Sequence, residues 1–272
     1  MLVRNVAEGG GSVTPIQRRG PAVGLEIGEE GWTYAWVFGL PACFSRGASP
    51  EKALQVLPSR IGRYLDWLSG FEPVPRTGRE IEVVEEVRDP ICPVKRGDTR
   101  ALFAWDRDAP TAEEFERDLR WMAHSRRTLL SLLEDLPSDV LDRGDPPKKG
   151  KGIHDVRAPS IRRILRHVAG AEYWYLTRIP SRAPLPQEEP HDVFTALSAV
   201  RGAAEPVLRE FFGSCPNQVV EAPQRTWSGT FTEGWTLRKV LRRALWHEGF
   251  HIEEILRHLD GRSGDRAAVG TA

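Results

Sequence analysis

WTLRKVLRRALWHEGFHIEEILRHL, residues 235–259, carries more information than any other stretch of the chain. Leu237, Leu241, Leu245, Ile252, Ile255 and Leu259 recur at intervals of three and four, the spacing that gathers apolar side chains along one side of an α-helix. The pattern predicts a helix that starts at Thr236 and runs to about Leu259. His247 and His251 are four apart, which puts both side chains on one face with Cβ atoms about 6 Å apart. They fall just beside the apolar stripe. Two imidazoles so placed can converge on one divalent ion at roughly 2.0–2.1 Å.

Three earlier segments repeat the amphipathic pattern. Thr111 and Glu114 form a capping box ahead of the stripe Phe115, Leu119, Met122, Leu129, Leu133 and Leu136, which Pro137 ends. Gly144–Gly152, GDPPKKGKG, reads as a mobile loop. A second helix is expected from near Ser160 to about Ile179, with Ile161, Ile164, Leu165, Val168 and Leu176 as its stripe. A third runs from about Asp192 to Phe212, with Pro206 kinking or splitting it. Four amphipathic helices bury their stripes most simply against one another, so residues 111–260 are expected to form a four-helix bundle.

His167 sits at the flank of the second stripe as His247 and His251 do at the fourth. Two such helices can deliver three nitrogens to one site, and a three-histidine site keeps open positions for water or substrate. Spacing alone leaves another reading open, in which the pair is surface decoration and His167 a satisfied core-edge residue. His247-Glu248-Gly249-Phe250-His251 also fits the zinc-protease pattern H-E-x-x-H. His258, about 10 Å further along the axis, is too distant to be a third ligand for it. Glu248 projects into the apolar stripe, and Glu172 holds a comparable place on the second helix. Glu248 is therefore a candidate catalytic base, or else a partner for a ligand imidazole or for an arginine such as Arg126, Arg163 or Arg243. Trp174, Tyr175, Trp227, Trp235 and Trp246 are candidate pocket walls. His124, His154, His191 and His258 are expected to be solvated.

The N-terminal part is patterned differently. Ala22–Ile27 and Trp32–Phe38 read as strands, the second alternating Trp32, Tyr34, Trp36 and Phe38 with smaller residues. Leu40–Phe44 reads as a short strand. Ser49-Pro50-Glu51 opens a helix carrying Ala53, Leu54, Leu57, Ile61, Tyr64, Leu65 and Leu68, and Ile81–Val87 reads as a further strand. The expected division is a flexible start (1–20), a small α/β domain (21–88), a linker (89–110) with one short strand at Ala101–Trp105, the bundle (111–260) and a flexible tail (261–272). The fold class is α+β.

Composition removes several classes of function. The 272 residues carry 38 basic and 38 acidic side chains, and the balance holds locally, so the basic excess of a nucleic-acid binder is absent. No stretch approaches the roughly 18 apolar residues that span a bilayer, so no membrane association is expected. Cys43, Cys92 and Cys215 are widely spaced and suit a reducing, cytoplasmic setting.

Two resemblances add to this. SIRRILRHVAGAEYWYLTRI and WTLRKVLRRALWHEGFHIEEILRHL resemble the second and fourth helices of the DinB-like metal-binding four-helix bundle family. The likeness implies His167, His247 and His251 as ligands of a divalent transition metal, zinc or nickel foremost, and transferase or isomerase chemistry that can use a low-molecular-weight thiol. It also implies a small-molecule substrate and allows a homodimer. GWTYAWVFGLPACFSRGASPEKALQVLPSRIGRYLDWL resembles the HicB-like domain, with Ala42 where that family places glycine. That likeness implies a module able to bind a protein partner. The expectations are thus a metal-dependent transferase or hydrolase or, alternatively, a regulatory binding module whose bundle metal is structural.

Overall fold

The computed structural model describes residues 20–74, 80–144, 159–187, 190–226 and 229–260, with backbone alone at 225, 226 and 229. In chain order the elements are β1 (Ala22–Ile27), β2 (Thr33–Val37), β3 (Phe44–Gly47), α1 (Pro50–Ser69), β4 (Glu82–Arg88), α2 (Ala104–Arg107), α3 (Ala112–Ser131), α4 (Ser138–Asp142), α5 (Ile161–Leu176), α6 (Val193–Ser214), β5 (Val220–Thr226), β6 (Gly229–Trp235) and α7 (Leu237–Leu259). The chain is α+β. Of the terminal segments expected to be flexible, 1–20 and 261–272, all but residue 20 lie outside the described residues, as do most of the Gly144–Gly152 loop, His154 and Trp227.

The sheet order is β3-β2-β1-β4, with β1 antiparallel to β2 and parallel to β4. The period-two alternation in β2 has a specific outcome: both faces are buried. Ala35 and Val37 join the core shared with α1, while Tyr34 and Trp36 pack on the other side against Trp246 of α7. α1 starts where Ser49 accepts from the Lys52 amide, and it lies so close to β3 that a Cβ on Gly47 would stand 2.5 Å from the Ala53 nitrogen. Only glycine fits there. The turn before β3 holds Ala42 at φ 77°, the left-handed region.

Local capping chemistry sets the long helices. Ser160, Asp192 and Thr236 accept from the amides of Arg163, Thr195 and Lys239, and Thr111 and Glu114 form the reciprocal capping box. α6 continues through Pro206 as one helix. α7 packs against α3, α5 and α6, and α5 packs against α6. No described helix is long and apolar enough to cross a membrane.

The structure corrects the reading of residues 89–110. There is no strand at Ala101–Trp105; Ala104–Arg107 is the short helix α2. The Asp106 carboxylate closes that turn by accepting from the Phe103 amide and from Arg242, 2.7 Å away. The segment is fixed along its length. Glu26 on β1, 1% exposed, accepts from Thr99 Oγ1, the Arg100 and Ala101 amides and Trp36 Nε1. From the other side Lys239 donates to the Arg100 carbonyl, Arg242 to the Ala101 carbonyl and Arg243 to the Thr99 carbonyl. Two elements were not foreseen: α4, and the β5–β6 hairpin that leads into α7.

Candidate metal centre

α5 and α7 pack side by side, and their flanking histidines meet. His167 Nε2 lies 3.0 Å from His247 Nε2, which in turn lies 3.2 Å from His251 Nε2. The ligand atoms of all three are within 4.8 Å of one another. His247 and His251 are buried, and His167 is half-buried.

The donor set fits a transition-metal ion. Tetrahedral bonds of 2.0–2.1 Å put neighbouring ligand nitrogens ~3.3 Å apart, close to the two separations observed. His251 Nδ1 stands 2.8 Å from Glu254 Oε2. A proton on Nδ1 then donates to the carboxylate and leaves the Nε2 lone pair facing the other two imidazoles, the arrangement by which outer carboxylates orient metal-binding histidines. Glu254 was not anticipated in this role, although its i,i+3 spacing from His251 was available.

Aromatic rings enclose the cluster. Tyr175 stands edge-on 6.0 Å from His247, Trp246 lies 5.8 Å from the same ring, and Phe250 is 5.3 Å from His251. Trp235 packs on Tyr175, and Trp174 packs edge-on against Trp235. Of the five expected wall residues, Trp246 and Tyr175 touch the histidines, while Trp235 and Trp174 stand behind them. Because Trp246 also packs on Tyr34 and Trp36, the N-terminal sheet forms the rear wall.

Glu248 turns away from the imidazoles' meeting point into a buried lattice. Arg126 Nε donates to its Oε1 at 2.5 Å and Arg201 Nη2 to its Oε2 at 3.0 Å. Burial pushes this carboxyl's pKa up, but Arg201 and Arg126 outweigh that and hold it below the usual carboxylate range. Glu172 shares the same two arginines. Arg126 was among the partners considered for Glu248; Arg201 was not, and Arg163 and Arg243 lie elsewhere. Arg243 stacks against Tyr175, Trp235 and Trp246.

His124 departs from its expected solvation. Its ring stacks on Phe71 at 4.4 Å and packs on Trp67 at 4.6 Å, and desolvation lowers its pKa. His191 is exposed, and His258 is half-buried with Nε2 3.2 Å from the Arg143 carbonyl.

Residues 122–255 match the model of the DinB superfamily, a span that contains all three histidines. Comparison with curated proteins and with solved structures gave no match.

Proposed function

We propose that His167, His247 and His251 hold one divalent transition metal, zinc or nickel, and that the chain is a metal-dependent transferase or hydrolase acting on a small molecule. The observation that carries this reading is the convergence of three Nε2 atoms from two helices, with Glu254 orienting one of them. When bound, such an ion supplies Lewis acidity, lowering the pKa of a coordinated water or thiol near neutrality. Helices α3, α5, α6 and α7 are read as a DinB-like four-helix bundle, in agreement with the family match.

The chain's own residues then divide the work. The three imidazoles bind, and Glu254 fixes the tautomer of His251. Tyr175, Trp246 and Phe250 exclude bulk water from the inner side, leaving the half-buried His167 side for substrate. We assign Glu248 to holding helices together, because both of its oxygens are engaged by arginine. The sheet and α1 are read as a HicB-like unit that closes the rear of the pocket.

Equilibrium dialysis of the purified chain against zinc or nickel tests the reading. One equivalent is expected to be retained, and its loss is expected in His167→Ala, His247→Ala and His251→Ala. Retention of the metal by all three variants would refute the site.

A further inference from the structure

The buried lattice has a symmetry that the histidines lack. Arg126 on α3 donates through Nε to Glu248 at 2.5 Å and through Nη2 to Glu172 at 2.6 Å. Arg201 on α6 donates through Nε to Glu172 at 2.5 Å and through Nη2 to Glu248 at 3.0 Å. Each guanidinium gives its remaining Nη1 to a carbonyl four residues before the other arginine: Arg126 to Leu197, Arg201 to Met122. Exchanging α3 with α6, and α5 with α7, carries the lattice onto itself.

The sequence holds the same relation. Arg126 and Arg201 are 75 residues apart; Glu172 and Glu248 are 76 apart, as are the N-caps Ser160 and Thr236. Shifted by 76, IRRILRHVAGAEYWYL (161–176) lies over LRKVLRRALWHEGFHI (237–252). The shift matches Arg162 with Arg238, Leu165 with Leu241, Arg166 with Arg242 and Glu172 with Glu248. In this correspondence His167, His247 and His251 fall on Arg243, Ala171 and Tyr175. The helical frame is doubled, but the imidazoles occupy one of its two equivalent places.

We propose that Arg126, Glu172, Arg201 and Glu248 are the positioning residues of the histidine site, on the approximate two-fold axis of a repeated helix pair. This rests on the metal-binding reading above. The site takes one imidazole from α5 and two from α7, so its geometry depends on the axial register of those helices. Sliding one helix by a single residue moves its histidine by about 1.5 Å, whereas metal–ligand distances tolerate about 0.2 Å. Glu172 and Glu248 each bind both arginines, so a slide of either helix breaks charge-assisted hydrogen bonds in a dry core. Arg126 and Arg201 tie α3 and α6 to the same point through the two carbonyls.

Cobalt(II) binding to the full chain, followed by visible absorption, tests the proposal, with Asp106→Asn as control. Asp106 on α2 and Arg242 on α7 form an equally buried ion pair that does not join the two histidine-bearing helices. Glu172→Gln and Glu248→Gln are expected to weaken cobalt binding by about 10- to 100-fold and to alter the visible bands. Asp106→Asn is expected to lower the melting temperature while leaving affinity and spectrum unchanged. Arg201→Lys, which keeps the charge and loses the fork, serves where a glutamine variant fails to fold, with the same direction expected. Unchanged cobalt affinity and spectrum in a folded lattice variant overturns the proposal and leaves the metal site standing; so does equal weakening by Asp106→Asn. A parent chain that takes up no cobalt overturns both.

Discussion

His167 Nε2 and His247 Nε2, eighty residues apart in the chain, stand 3.0 Å from each other between α5 and α7. Neutral imidazoles that close satisfy one hydrogen bond at most, and adding His251 at 3.2 Å from His247 gives three nitrogens facing a common point. That point is where the proposed divalent cation would sit.

The Glu254 carboxylate stands 2.8 Å from His251 Nδ1, where the proposed site needs a partner for that ring's second nitrogen. Glu254→Gln is expected to keep the fold and weaken zinc binding by about 10- to 100-fold in competition with a chromophoric chelator. An unchanged affinity would remove Glu254 from the site.

Ala42 adopts φ 77°, a conformation that costs an L-residue roughly 1–2 kcal/mol and glycine almost nothing. Ala42→Gly is expected to raise stability by about 1 kcal/mol in urea unfolding, the gain reduced by glycine's freer unfolded chain. A loss of stability would show that the turn relaxes without strain.

Asp118 is buried beside Arg117, and desolvation pushes its pKa up to about 6 despite that partner. The folded chain therefore holds this proton more tightly than the unfolded one does, and stability from this group falls as pH rises from about 4 to about 6. Denaturant midpoints measured across that window are expected to show the fall in the parent and a flatter profile in Asp118→Asn. The same slope in both would assign the effect elsewhere.

Glu26 binds two backbone amides and a hydroxyl of the segment that joins sheet to helices, and the indole N–H of Trp36 on β2. Glu26→Ala leaves four buried donors without that acceptor, and the expected loss is about 3–5 kcal/mol by chemical denaturation. A loss under 1 kcal/mol would mean that water replaces the carboxylate.

How much of this was legible in the sequence follows from the range of each interaction. Helix starts were readable because Ser49, Thr111, Ser160, Asp192 and Thr236 cap amides three residues away. The histidine pair was readable from helical spacing, and His167 from its place beside a stripe. The fixing of residues 99–106 was not, since it depends on Glu26 and on basic residues of α7 far along the chain. The β5–β6 hairpin was hidden by Pro223, which cannot donate to a ladder. Arg201 has no local pattern to mark it; only its distance from Arg126 relates the two.

The most direct test of the metal centre is anomalous scattering from a crystal grown with one equivalent of zinc. The account predicts a single peak about 2.0–2.1 Å from the Nε2 atoms of His167, His247 and His251. A peak elsewhere, or no peak among the three imidazoles, would contradict it.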